Sequence, residues 1–516
     1  MFSLLFVSSV SAAFEWDNDL PYERSPYTVR LDGTEVLRAE TNVFSLFDLT
    51  PATAYTVEAD GCSLSFTTRA ETALLSAADF GAAGDGRRDD TRALQDAIDA
   101  IPAGGRLRIP AGTYRVSPLT LKSHITLDLA AGAVLLGETD KTVYPVIPAA
   151  VQDPVSGAET VSGVWEGSAS PMYQSLLYGT DLSDVAIVGR GTVDGNAQNA
   201  RWWQDFKSDP VARPRLFFVN RSKGITLHGI TAQNAASWQM HPFLSRDIRF
   251  YDIAVNAPDD SPNTDAIDPE CCDGVAIVGC RFSVGDDCIA LKSGKLDLAE
   301  KLRRPADHHT VRNCLMYRGH GAVVLGSETA GGVRNLSVSR CVFVGTDRGL
   351  RIKTRRGRGK ASVVDGVLFE NIRMDGVKTP LVINMWYNCN DPDRYSDYVR
   401  QRGGISEDER TPFCGAFVFR RMTCENCHVA AAYFDGLTEK QIGSVTLEDI
   451  RFSYANDASP GKPAMQNDAP VLCRAGIVAR NVGSLTVCRV TVEGVAGDAL
   501  VTENVTSETR DALSVR

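Results

Sequence analysis

Beyond its first ten residues, no stretch of this 516-residue chain is apolar for long enough to suggest a membrane-spanning helix. The opening run Phe2 to Val10 has the length of a signal-peptide core ending near Ala12-Ala13, but no Lys or Arg precedes it. It reads equally well as two strands leading into Phe14 and Trp16. Taken as strands, it predicts a cytoplasmic protein, with secretion or a periplasmic location as the alternative. An excess of positive charge is also missing. The formal net charge is −10, so neither nucleic acid nor an anionic membrane is expected as a partner, since both need a positive field over the contact surface. The 13 cysteines are odd in number and have no regular spacing, which argues against a disulfide scaffold. Cys424-Glu-Asn-Cys427-His428 has the spacing of a haem attachment site, but nothing else suggests one, and buried cysteines on a strand are the simpler reading. No cofactor and no metal are expected.

What is present is material for a large β protein: 43% hydrophobic residues, 23% charged and 44 glycines. The length calls for two domains or one elongated repeat, and both are found. Up to residue 70, short alternating segments (Tyr27 to Leu31, Val43 to Phe47, Tyr55 to Ala59) are separated by Asp32-Gly33 and Thr50-Pro51 turns and predict a small sandwich. Leu49-Thr-Pro51-Ala-Thr-Ala-Tyr55 resembles the corner of a fibronectin type III domain, with Trp16 in the place of its core tryptophan.

From 71 to 516 the pattern changes. Gly84-Asp85-Gly86 leads to Asp90, read as an N-cap, and Ala93, Leu94, Ala97, Ile98 and Ile101 follow at helical spacing. Such a helix can cover the open first coil of a stacked structure. The Asp85, Asp89, Asp90 cluster is read as belonging to this cap and not as a calcium loop. Apolar alternation then recurs at Val185, Ile225, Ile248, Val275, Leu336, Val367, Val445 and Leu485. A variable period of about 20 to 50 residues with few hairpin turns fits a parallel β-helix better than a propeller.

Four short motifs fall on successive coils of this repeat: Asn263-Thr264-Asp265, Gly285-Asp286-Asp287, Gly319-His320-Gly321 and Arg351-Ile352-Lys353. Coils stack about 4.8 Å apart, so residues at one angular position form a column. Three carboxylates, an imidazole and two cations are thereby predicted to share one groove. Hydrolysis of a glycosidic bond with inversion needs a protonated carboxyl and a carboxylate about 6.5 to 9.5 Å apart, which one or two coil steps supply. Crowding the three acids raises the pKa of at least one. Asp286 and Asp287 would face opposite sides of a regular strand, so both reach the groove only if the backbone turns, which Gly285 permits. Any one motif alone is ordinary turn chemistry. His241 is read as a core residue packed with Trp238.

In this order the motifs resemble those of the polygalacturonases of glycoside hydrolase family 28, over residues 75 to 500. Gly189 to Gly195, Trp202-Trp203, Arg213-Pro214, Asn234 to Pro242 and Asp287 to Gly294 extend the match. The resemblance implies a right-handed helix, Asp286 as general acid, and Asp265 and Asp287 holding the attacking water. It also implies that His320 tunes the acid, that Arg351 and Lys353 bind a substrate carboxylate, and that Asn263, Lys292 and Tyr387 contact the sugar. The remaining basic residues of the run to Lys360 would steer a polyanion. Insertions at 138–178, 295–308, 388–414 and 455–472, with the fibronectin-like region, resemble bacterial exo-polygalacturonases and imply attack from a chain end on a pectic galacturonide. Rhamnogalacturonan or xylogalacturonan hydrolysis, a pectate lyase and a non-catalytic sugar-binding helix remain the alternatives.

Overall fold

A computed structural model describes residues 1–152, 157–204, 206–389 and 397–516. The opening run is strand: Phe2–Val7 pairs antiparallel with Ala12–Trp16, which pairs in turn with Val43–Leu46. A second sheet orders Thr34–Thr41, Glu23–Leu31, Ala54–Ala59 and Cys62–Thr67. Aromatic residues fill the space between the sheets, with Phe14 stacked on Phe44 at 5.0 Å and Trp16 edge-on to Tyr27 at 5.4 Å. Such pairs add about 0.5–1.5 kcal/mol each beyond the area they bury.

This small unit is fastened to the flank of the long coiled repeat that makes up the rest of the chain. The buried Glu15 carboxylate accepts from Arg312 Nε at 2.8 Å, Asn313 Nδ2 at 2.6 Å and Arg340 Nη2 at 3.0 Å, three donors on two successive coils. His228 sits wholly buried between Ser11 Oγ at 3.0 Å and Ser45 Oγ at 2.9 Å. Burial pushes its imidazole down to about 3, so it bridges the two units as a neutral ring.

The repeat is one long parallel sheet system with a further four-stranded ladder. Its coils stack in register: Val185, Ile225, Ile248, Val275, His309, Leu336, Val367, Phe417, Val445 and Leu485 form one column. The two members absent from the sequence pattern are instructive. Ala306–Arg312 reads as polar, yet it forms a coil in which His309 takes an apolar position, fully buried and pushed down to about 4. The apolar members each contribute roughly 1.5–3 kcal/mol by burial. Cys280, Cys314 and Cys341 lie in the interior as free thiols, and Cys424 and Cys427 are buried on the strand Ala416–Cys427. Burial pushes the Cys427 thiol up to about 12, which leaves it inert.

The helix Thr91–Ala100 turns Leu94, Ala97 and Ile98 into the first coils, as its spacing predicts. Asp90 holds the N-cap position, but its side chain does not cap. Its carboxylate instead accepts from the backbone amides of Ala83 at 2.7 Å and Gly84 at 3.0 Å, tying down the glycine turn before the helix. The first-turn amides are served from one residue earlier, where Asp89 accepts from Thr91 N at 2.9 Å. No helix among the described residues is long and apolar enough to cross a membrane.

Candidate active site

The strands Asp287–Leu291, Gly321–Gly326, Arg348–Lys353, Thr379–Asn384 and Ala430–Asp435 succeed one another as parallel neighbours. Asp287 lies opposite Gly321, and Lys353 lies opposite Gly326 on one side and Asn384 on the other. Asp265 stands one coil earlier, where the amide of Ala266 donates to Asp287 O at 3.1 Å. Each motif therefore occupies its own rung, but Arg351 and Lys353 lie opposite Val324 and Gly326 and reach the Asp287 line through their long side chains. The turn that presents both Asp286 and Asp287 depends on Gly285, where a Cβ would fall 2.5 Å from Ser261 O and 2.6 Å from Pro258 O. Gly321 is also required: a Cβ there would lie 2.5 Å from Val324 Cγ2 and 3.1 Å from Asp287 Oδ1.

Asp265, Asp286 and Asp287 present oxygens that all lie within 4.8 Å of one another. This approach is tighter than the coil count predicts, so the separation between the carboxylates does not by itself select inversion. The three acids have different surroundings. Asp287 is buried and accepts at Oδ1 from Arg351 Nη1 at 2.9 Å and at Oδ2 from Lys353 Nζ at 2.7 Å. Burial works to raise its pKa, but Lys353 and Arg351 outweigh it and hold the group below the usual range, ionised. Asp265 is 3% exposed and stands well above the usual carboxylate range, through burial first and then the charges of Asp268 and Asp286. Crowding therefore falls on Asp265. Asp286 is the most open of the three and takes a hydrogen bond from His320 Nδ1 at 3.3 Å, an interaction that raises the imidazole pKa. By geometry the triplet could chelate a cation. However, both Asp287 oxygens are engaged by Arg351 and Lys353, whose charges oppose one.

Beneath Asp265 lies a charge network that sequence reasoning did not find. Lys292 Nζ is 3.3 Å from Asp268 Oδ1, 3.5 Å from Glu328 Oε2 and 3.9 Å from Asp265 Oδ2, and it sits 4.3 Å from the centre of the Trp238 ring. Burial raises Asp268 to about 7 and Glu270 to about 8, whereas Glu328, with Lys292 and Arg358 outweighing its burial, falls to about 2. Lys292 is 4% exposed, as deeply buried as Asp265 and Arg351 beside it. His241 is fully buried against Trp238 at 5.0 Å, as predicted, and also meets Glu270 Oε2 at 3.1 Å. Asn263 accepts from Arg213 Nη2 at 2.6 Å, and Tyr387 is buried with its ring centre 5.8 Å from Lys353 Nζ.

The insertions frame this column. Residues 159–173 bring Trp165 onto Trp238 with ring centres 5.1 Å apart. The segment 295–308 begins with the helix Leu296–Leu302 and meets the first insertion through Lys295 N donating to Gly167 O at 2.8 Å. At the other end, Arg402 reaches Asp468 at 2.7 Å and the buried Asp435 at 3.1 Å, joining the described parts of 388–414 and 455–472.

Residues 106–396 match the model of the glycosyl hydrolases family 28. The chain belongs to that family. Among its relatives is a "Probable polygalacturonase" of Vitis vinifera, 31% identical over 399 residues, covering 76% of each chain. An "Exo-poly-alpha-D-galacturonosidase" of Dickeya chrysanthemi is 26% identical over 475 residues, covering 77% of this chain and 76% of its own. The structure of a Yersinia enterocolitica family 28 exopolygalacturonase superposes with a TM-score of 0.74 over 98% of both chains at 20% identity, a likeness of fold. This family 28 chain thus has the mostly β, parallel-helix architecture that its repeats predict. Asp268, Glu270 and Glu328 escaped the sequence reading because single acids outside a recurring motif carry no spacing signal.

Proposed function

We propose that the protein hydrolyses α-1,4-galacturonosyl bonds of polygalacturonate or oligogalacturonides, with inversion and from a chain end. The observation that carries this reading is the pairing of the acidic triplet with Arg351 and Lys353. A groove of three carboxylates repels a polyanionic sugar unless cations stand beside them, and the two cations supply that balance on the same column. The names of the family relatives agree on galacturonan.

In this proposal Asp286, the most open acid, gives its proton to the leaving glycosidic oxygen, and His320 holds it in place. Asp265 and Asp287 position the attacking water and take up the proton it loses. Asp265 Oδ1 is buried without a hydrogen-bond partner among the described residues, which is where a water would be bound. Asp287, held ionised by its two cations, accepts the water's other hydrogen bond. Arg351 and Lys353 turn their remaining donors to a sugar carboxylate, which suits a planar guanidinium. Asn263 and Tyr387 contact the sugar at its edges. The triplet shares its protons as a unit, so the proton favoured on Asp265 in the free protein must stand on Asp286 in the productive complex. Residues 1–70 are taken as a fibronectin type III-like unit and 71–516 as the catalytic unit. Chain-end attack is supported by the insertions that stand at both ends of the column.

The test is product analysis on defined oligogalacturonides, recording the anomeric form of the first product. A short product of inverted configuration is expected. An unsaturated product absorbing in the ultraviolet would mean a lyase, and a rapid fall in polymer viscosity would mean internal cleavage.

A further inference from the structure

The order of the coils locates the sugar that is released, given the roles proposed above, on which this inference rests. The water is held on the Asp265 side, and it attacks the anomeric carbon. His320, Arg351 and Lys353 stand on later coils, under the leaving group. The released sugar therefore lies toward the earlier coils, those of Trp238 and Arg213. Gln239 N donates to Asp265 O at 2.9 Å and Leu216 N to Gln239 O at 3.1 Å, so these coils are one and two steps back.

In that direction the groove meets a hairpin of the first insertion, Val164–Trp165 paired with Ser168–Ala169. The hairpin is held at several points. Fully buried Arg215 donates Nη2 to Val164 O, and Gly167 packs so closely that a Cβ would lie 2.5 Å from Glu328 Cγ. Trp165 remains partly exposed and is stacked on Trp238. Beside it Arg213 is only 3% exposed, with its guanidinium 5.6 Å from the Trp165 ring centre. It donates Nη1 to Ala236 O at 2.7 Å and to Pro262 O at 3.0 Å, and Nη2 to Asn263 Oδ1 at 2.6 Å. All three acceptors are neutral. Among the described residues no carboxylate lies within ion-pair distance of Arg213; Glu166 and Asp265 act on it only from further off, and Phe206 covers its guanidinium at 4.0 Å, so burial outweighs its counter-charges and lowers its pKa.

We infer that Trp165 and Arg213 form the terminal subsite that limits how much of the chain enters. The indole ends the groove. Arg213 supplies the positive field for the carboxylate of the uronate at the non-reducing end, and Asn263, its oxygen engaged by Arg213, turns Nδ2 to the sugar. Two coil steps of about 4.8 Å leave room for one or two rings between Asp265 and the wall.

The experiment uses oligogalacturonides labelled at the reducing end, with Trp165→Ala, Trp165→Phe, Arg213→Met and Arg213→Lys each checked for unchanged thermal unfolding. The parent protein is expected to release one constant short product from the unlabelled end. Trp165→Ala should release longer products, and Trp165→Phe should restore the short one. Arg213→Met should raise KM roughly tenfold with kcat little changed, the effect of losing a charged contact in binding, and Arg213→Lys should recover part of it. If Trp165→Ala keeps the product length, the wall lies elsewhere and the inference fails while chain-end attack stands. If the parent protein itself cuts internally, the proposed function fails first. Should the arginine variants not fold, the tryptophan pair alone decides.

Discussion

Replacing Lys292 by methionine tests the buried charge network most directly. The substitution keeps the volume and removes a cation that lies 3.3 Å from Asp268 and 3.5 Å from Glu328. At an effective dielectric of about 20, a charge pair at 3.5 Å is worth about 5 kcal/mol before desolvation. Removing the lysine also removes its own desolvation cost, and breaking a buried pair typically costs about 3–5 kcal/mol. The loss should depend on pH. Glu328, with its pKa at about 2, stays ionised throughout, whereas Asp268 loses its proton near 7 and Asp265 stands above the usual range. Asp268 is neutral at pH 5, so the lysine has fewer charged partners there and its loss costs less than at pH 8. Denaturant unfolding at pH 5 and pH 8 measures the difference. The same variant removes a cation that lowers Asp265, so the acid limb of its pH–rate profile should move to higher pH. A loss below about 1 kcal/mol, or one equal at both pH values, would refute the network as described.

Exchanging Asp286, Asp265 or Asp287 for asparagine should lower kcat by roughly 10²–10⁴-fold for the acid and comparably for the water-holding pair, measured as reducing ends released, with folding checked by circular dichroism. His320 has its pKa raised by Asp286, so it keeps its proton above pH 6.5; the alkaline limb of kcat/KM should lie above that pH and be absent in His320→Asn. The stabilising part of that contact is present below the unfolded-state pKa and fades as pH rises through the folded one. Gly321→Ala places a methyl against Val324 and Asp287 and should cost activity well before it costs stability, a split that parallel assays of rate and thermal unfolding would expose. Glu15→Ala removes the acceptor shared by Arg312, Asn313 and Arg340 and should destabilise the chain by roughly 1–3 kcal/mol in denaturant titration, without altering KM.

The repeat and the acidic column were legible because both are periodic: apolar alternation marks rungs, and motifs at the same angular position become neighbours. Coils whose interior position is taken by an unexpected residue, such as His309, were not legible. Nor was the function of acids that stand outside any motif, since a buried Asp268 and an exposed one look alike in sequence. Asp90 shows the same limit at short range. Its position predicted a cap, but the preceding glycine turn offered two nearer amides and took its carboxylate. Lys292 reads as one more cation near the groove, and only the structure shows the buried acids gathered around it.

Because the acids, the imidazole and the two cations sit on separate rungs, their spacing along the groove cannot vary continuously. Inserting or deleting one coil would shift the cations against the acids by a whole strand spacing, about 4.8 Å, and nothing smaller. Fine adjustment to a different polymer must therefore come from side-chain length on a fixed rung or from the loops that frame it. The solenoid works as a ruler with coarse marks, and its insertions supply the subdivisions.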